Sequence, residues 1–168
     1  MADVQLVPTM TSNTAPSGVA SAQNIYNNDS TYAAWKAFDN DVNTYWNNLA
    51  QGDGGGLPVW LKYDFGSANA KIVHSYFMNL YNYSNSWDFQ GSNDNSAWTT
   101  LDSQTNQTGG DHTYNISNTT AYRYYRINFT YSNHVQGYAN VKTLEMWGTD
   151  DVPPPPTFSS KPTMFNVF

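Results

Sequence analysis

In the segment WLKYDFG, residues 60–66, Leu61, Tyr63 and Phe65 alternate with Lys62 and Asp64 until a glycine closes the run. A period of two puts successive side chains on opposite faces, so the segment reads as a half-buried β-strand. Short runs rich in aromatic and β-branched residues, closed by turn formers, recur at KIVHSYFM (71–78), WDFQGS (87–92), AWTTL (97–101), YRYYRINFT (122–130) and VKTLEMWG (141–148). No stretch sustains the i, i+3, i+4, i+7 apolar spacing of a helix. Loops of Asn, Ser, Gly and Asp separate the runs, the longest being NNLAQGDGGGLP (47–58) and NLYNYSNS (79–86). Short strands joined by turns predict an all-β fold, a β-sandwich or jelly roll. In such an interior Trp35, Trp46, Trp60, Trp87, Trp98 and Trp147 should be mostly core.

The chain has 168 residues, enough for one domain with a sizeable core, and no cysteine, so the fold holds by packing or with a metal. Only 12% of residues are charged and the net charge is −6, which leaves a surface built from Asn, Ser, Thr, Gln and Tyr. Seven Lys and Arg, widely spread, argue against nucleic acid and against an anionic membrane surface. The N-terminus lacks the basic and apolar regions of a secretory signal, and no apolar run approaches the ~20 residues of a membrane span. The expected location is therefore a virion surface, or the extracellular space after lysis. The composition changes at Asp150, where DDVPPPPTFSSKPTMFNVF begins. We divide the chain into an N-terminal arm (1–9), a sandwich (10–149) and a Pro-rich tail (150–168). The tail is either a frayed linker or an anchor, in which Pro153, Pro154, Phe158, Met164, Phe165 and Phe168 dock on another protein of an assembly.

Catalytic signatures are missing: there is no G-x-S-x-G or H-E-x-x-H, and GDGGG is not followed by the Lys of a phosphate-binding loop. The expectation is a protein that is not an enzyme. One segment concentrates oxygen donors: KAFDNDVNTYW, residues 36–46. Asp39, Asp41 and Asn43 match the opening of an EF-hand loop, but Thr44 stands where its glycine belongs and Ala50 where its bidentate carboxylate belongs. A different oxygen cage for a hard cation remains possible, closed by Glu145, the only glutamate of the chain. Alternating with Val141, Thr143 and Trp147, Glu145 is a carboxylate among apparently buried groups, which is costly without a cation or hydrogen-bond partner. The alternative is that Asp39 and Asp41 cap turns and Glu145 finds a hydrogen bond.

The segments AAWKAFDNDVNTYW, PVWLKYDFGSANAKI, WDFQGSNDNSAWTTL, YRYYRINF and LEMWG occur in the order and spacing of the coagulation factor five/eight type C domain. This family, also called discoidin or galactose-binding-like, includes bacterial family 32 carbohydrate-binding modules. The resemblance covers residues 10–149 and implies an eight-stranded antiparallel jelly-roll β-sandwich. It also implies a structural Ca²⁺ held by the carbonyls of Lys36, Asp41, Thr44 and Leu144, the Thr44 hydroxyl, and the carboxylates of Asp39 and Glu145. Asn40 stands where the family has glycine, a mild departure because Asn tolerates positive φ.

Sugar-binding relatives hold their ligand across loops at one end of the sandwich. The matching positions here are Asn47, Asn79, Ser84 or Asn85, and one of Tyr131 or His134, with Tyr26, Asn27, Tyr81 and Tyr83 on loops expected to crown the same end. For Tyr81 and Tyr83 the other reading is that a ring covers the sheet edge. The Arg and the first His of those relatives are missing, which removes the charged fork for vicinal hydroxyls and puts galactose in doubt. Aromatic platforms with amide groups still suit a neutral glycan. The resulting expectation is a non-catalytic carbohydrate-binding module displayed on a larger assembly, a phage virion that contacts host glycans, with a second copy of the chain among its candidate partners. The alternative is a purely structural virion decoration, fibre or tail protein.

Overall fold

The computed structural model describes residues 2–83 and 85–149. The tail positions Pro153, Pro154, Phe158, Met164, Phe165 and Phe168, and the candidate Ser84, lie outside the described residues. Ten strands are present among those described: β1 (Val4–Gln5), β2 (Val19–Ala22), β3 (Trp46–Asn47), β4 (Val59–Asp64), β5 (Ile72–Leu80), β6 (Asn85–Ser92), β7 (Thr99–Gln107), β8 (Gly110–Asn115), β9 (Tyr124–Ser132) and β10 (Asn140–Thr149). Eight of them have four residues or more; β1 and β3 have two each. One antiparallel sheet runs β1-β10-β5-β8, with β3 also on β10, and the other runs β2-β4-β9-β6-β7. The fold is the expected all-β sandwich.

Several elements differ from expectation in instructive ways. Residues 1–9 are not a separate arm: Val4 and Gln5 pair with Gly148 and Trp147, and Val7 is buried. The loop predicted over 79–86 shrinks, because β5 runs to Leu80 and β6 starts at Asn85. Only Trp46 and Trp87 of the six tryptophans are fully buried. Trp35, Trp60 and Trp98 are half-buried and carry the cations of Lys36, Lys62 and Arg126 at 4.0, 4.7 and 4.0 Å from their ring centroids. A flat ring on the outer face of a sheet shields the stem of a long cationic side chain and binds its charge, so a sequence count of aromatics overstates the core.

The core lies between the sheets' inner faces. Tyr76 stacks on Phe89 at 4.4 Å, and Phe89 on Tyr125 at 5.6 Å. The Tyr76 hydroxyl, pushed to a high pKa by burial and by the Asp102 carboxylate, donates to Asp102 Oδ2 at 2.6 Å and accepts from Trp87 Nε1 at 3.0 Å. A β-bulge in β10 resets its alternation. Val141 pairs with Leu80 and Thr143 with Asn79, so two residues of β10 advance against one of β5. Val141, Leu144 and Met146 therefore face the core, while Glu145 and Trp147 turn outward and are half-buried. The expected common face of Val141 and Glu145 fails for this reason.

On the outer face of the second sheet Arg123 clamps Asp64 through two hydrogen bonds of 2.8 Å. Burial alone would raise the Asp64 carboxyl, but the Arg123 guanidinium, the Gly66 N–H and Lys62 outweigh it and hold the group below its ordinary value. A depressed carboxyl contributes stability above its unfolded pKa of about 4, and that contribution is lost as pH falls through the folded value. Melting temperature should accordingly drop on acidification below about pH 4, and Asp64→Asn should flatten that part of the profile. Equal acid sensitivity in the two proteins would refute the assignment.

Candidate functional site

At the end of the sandwich where β5 ends and β10 begins, four chain segments meet: the 3₁₀ turns Tyr26–Asn28 and Ser30–Tyr32, residues 45–47, the β5–β6 connection that crosses from one sheet to the other, and the β9–β10 loop. They enclose a basin of about 240 Å³ lined by Tyr26, Tyr32, Tyr45, Asn47, Tyr81, Tyr83, Tyr138 and Asn140. The rings form a closed circuit. Tyr26 meets Tyr32 at 5.3 Å between centroids, Tyr32 meets Tyr45 at 5.3 Å, Tyr45 meets Tyr81 at 5.7 Å, and Tyr81 meets Tyr83 at 5.8 Å. His134 then bridges Tyr83 at 4.4 Å and Tyr138 at 4.6 Å, and Tyr138 returns to Tyr26 at 5.8 Å.

The local sequence explains the ring. Trp46 points fully into the core, so its neighbours Tyr45 and Asn47 are left at the end of the sandwich. Asn27 and Asn28 take positive φ, 50° and 54°, which lets the chain turn tightly after Tyr26. Burial pushes the Tyr45 hydroxyl up to about 12, helped by its hydrogen bond with Tyr32, and burial also raises Tyr138, beside Tyr26. Both phenols are therefore neutral at physiological pH. Below the ring Asn47 and Asn140, 7% and 6% exposed, pair across β3 and β10, and the Oδ1 atom of each has no donor. A buried acceptor without a partner costs about 1–3 kcal/mol, and two of the four such atoms found among the described residues, the others being Asn85 Oδ1 and Thr143 Oγ1, belong to residues that line this basin.

The structure brings Tyr26, Asn47, Tyr81 and Tyr83 together there and places His134 in the ring. It does not bring Asn79, Asn85 or Tyr131 into the basin. Asn79 lies on the outer face of its sheet and donates to Asp111 Oδ1 at 2.6 Å. Asn85 is buried at the start of β6, its Nδ2 donating to the Tyr83 carbonyl at 2.9 Å. Tyr131 belongs to β9, not to a loop, and is 46% exposed opposite Ser86. Sequence reasoning missed Tyr32, Tyr45, Tyr138 and Asn140. For Tyr45 a signal existed, since a tyrosine beside a core tryptophan must face the other way.

A larger groove of about 620 Å³ lies at the opposite pole, lined in part by Gln5, Ser17, Gly18, Phe65 and Asn69. None of the donorless buried atoms found among the described residues belongs to it, and no such circuit of rings surrounds it.

The oxygen cluster of residues 39–44 also takes shape. Asp39, with 8% of its side chain exposed, accepts the Asp41 N–H at 3.0 Å on Oδ1 and the Thr44 hydroxyl at 2.6 Å on Oδ2. The Thr44 hydroxyl also lies 3.2 Å from the Asp41 carbonyl, and Asn40 takes the positive φ, 57°, expected of it. Lys36 Nζ stands 3.6 Å from Asp39 Oδ2, so a cation already faces this carboxylate. The loop thus gathers carboxylate, carbonyl and hydroxyl oxygens, which suit a hard cation. The last strand contributes differently from expectation: the Leu144 side chain is core, and Glu145 Oε2 accepts the Trp147 indole N–H at 3.0 Å. Among the described residues no three His, Cys, Asp or Glu side chains form a metal-binding group, so a cation here would lean on backbone carbonyls and hydroxyls.

Two antiparallel sheets with a ring-lined basin at one end define a β-sandwich of the galactose-binding-like class. The chain belongs to the F5/8 type C family described as NedA-like, galactose-binding domain, whose model matches residues 36–127, more than half of it. It is similar in fold to chitosan-binding module 1 of a chitosanase/glucanase from Paenibacillus sp. IK-5, with 23% identity, a TM-score of 0.69, and 86% of this chain and 99% of that one covered. The second chitosan-binding module of that enzyme, in complex with chitotriose, gives 19% identity and a TM-score of 0.68, with 85% and 99% covered. The family 32 carbohydrate-binding module of C. perfringens NanJ, in complex with galactose, gives 17% identity and a TM-score of 0.67, with 86% and 98% covered. No curated protein matches the chain by sequence. Neither the fold nor these relatives bear on the expected display on a virion.

Proposed function

We propose that this protein is a non-catalytic carbohydrate-binding module that holds a glycan in the tyrosine-ringed basin. The observation that carries the reading is the closed circuit of seven aromatic side chains above two donorless amide oxygens. Sugar C–H faces stack on rings and sugar hydroxyls supply donors to amide oxygens, so the basin offers both halves of sugar recognition. Neither arginine of the chain lines the basin, both lying on β9 or beside it and engaged with Asp64 and Gln90, and the cation of Lys142 beside it already lies over the Tyr81 ring. Relatives that bind galactose and chitotriose share the fold and support the class of ligand. A glycan array tests the reading: retention of non-acidic glycans is expected, and silence across them would overturn it.

A structural Ca²⁺ in the loop of residues 39–44 belongs to the same proposal. Asp39, the Asp41 carbonyl and Thr44 would hold it, with the carbonyls of Lys36 and Leu144 and the carboxylate of Glu145 completing the shell once Glu145 releases Trp147. A cation that binds only the folded state at a hundred times its Kd adds about 2.7 kcal/mol. In a domain of this size that is roughly 5–10 °C of melting temperature. A chelator should remove this increment and millimolar calcium restore it, while Asp39→Asn should melt at the lower temperature in both conditions. A melting temperature indifferent to chelator and calcium would end the idea.

A further inference from the structure

We infer that the basin selects a sugar carrying a protonated amine over its neutral or N-acetylated counterpart. This deepens the glycan reading and rests on it. Tyrosine faces attract cations, and more strongly when the cation is desolvated. The molecule already uses this attraction widely. Five of its seven Lys and Arg side chains, those of Lys36, Lys62, Arg123, Arg126 and Lys142, pack over aromatic rings. Among the described residues, the basin ring with a side-chain cation over it is Tyr81, with that of Lys142 at 5.3 Å from the centroid.

The polar groups point the same way. Asn47 and Asn140 are more than nine-tenths buried, sit side by side at the basin, and each carries an oxygen lacking a donor. An ammonium brings three donors, no acceptor and a full charge. N-acetylation leaves one donor, adds an acceptor and removes the charge. The ionisable groups near the ring include the phenols, His134, Lys142, Asp29, which stands between Tyr26 and Tyr32 with its carboxylate accepting the Thr31 N–H, and Asp53, whose field reaches Tyr138. The raised phenols of Tyr45 and Tyr138 carry no charge near neutral pH, and the chain as a whole stands at −6, so a cationic ligand is attracted at long range as well.

Isothermal titration at about 0.15 M salt, where long-range attraction is screened, compares three ligands: a trimer of glucosamine, its fully N-acetylated form, and a β-1,4-glucose trimer. At pH 6 the glucosamine trimer should bind at least tenfold more tightly than the other two. At pH 9 the preference should vanish, because an amine of this kind titrates near about 8 whereas the Tyr45 phenol, at about 12, does not change. The double variant Tyr81→Ala/Tyr83→Ala, with unchanged net charge, should lose the preference, which separates the basin from diffuse attraction. Equal or tighter binding of either uncharged trimer at pH 6, a preference that survives at pH 9, or one that survives in the double variant overturns the inference and leaves the glycan reading standing. Silence toward all three overturns the inference, and silence on the array as well removes the glycan reading with it.

Discussion

Removing two rings of the basin, Tyr81→Ala with Tyr83→Ala, is expected to weaken glycan binding at least ~100-fold while the sandwich stays folded. Each stacked aromatic ring contributes on the order of 1.5 kcal/mol through stacking geometry and buried apolar area, close to a factor of ten apiece. Both tyrosines sit on the β5–β6 connection, half-buried and outside the core cluster, so the melting temperature should move little. Phenylalanine at the same two positions should keep most of the affinity, since the rings remain. Asn79→Ala should bind like the parent, because Asn79 is spent on Asp111 across the sheet. Titration calorimetry against an array-selected glycan checks all of these together. Undiminished affinity in the alanine double variant would place the ligand elsewhere.

The second large effect concerns stability. Gly148 sits where β10 passes β5, and a Cβ built there would lie 1.9 Å from the Ile72 carbonyl oxygen and 2.9 Å from its carbon. Those are backbone atoms inside a ladder, so the contact is relieved only if the strands part. Gly148→Ala should therefore cost about 3–5 kcal/mol, at the upper end for a single added methyl, visible as a midpoint shift in denaturant or as loss of soluble protein. Two other glycines calibrate the claim. At Gly52 an added Cβ meets nothing within 4 Å, so alanine there should be near neutral. At Gly91 it would meet the Tyr122 ring at 2.5 Å, a side chain that can rotate away, so the cost should be intermediate. A Gly148→Ala protein as stable as Gly52→Ala would show that the strands approach less closely than described.

The strands of the sandwich body were legible because period-two patterning is a property of single segments. WLKYDF gave β4, and the runs at 71–78 and 122–130 fell within two residues of β5 and β9. The short β1 and β3 were not legible, since two residues carry no period, and β8 was hidden by GDHTYN, whose polar composition reads as loop. The face assignment of Glu145 failed because a bulge depends on the register of two strands and is written in neither alone. The candidate site divided in the same way. Asp39, Asp41 and Thr44 are neighbours in sequence and came together as a local loop. The basin is assembled from residues between Tyr26 and Asn140, and its closure depends on how four distant segments pack. Tyr26, Tyr81 and Tyr83 were legible because the family resemblance puts their loops at the sugar-binding end, whereas Tyr138 looked like any ring preceding a strand.

β1 and the end of β10 lie side by side, Val4 against Gly148, while Asn140 and Leu80 mark the other extremity of the same sheet. Chain entering at Val4 and chain leaving at Thr149 thus share the hemisphere away from the tyrosines. Whatever surface or neighbour is tethered through either route, the mouth of the basin is left looking outward, like a cup held by its stem.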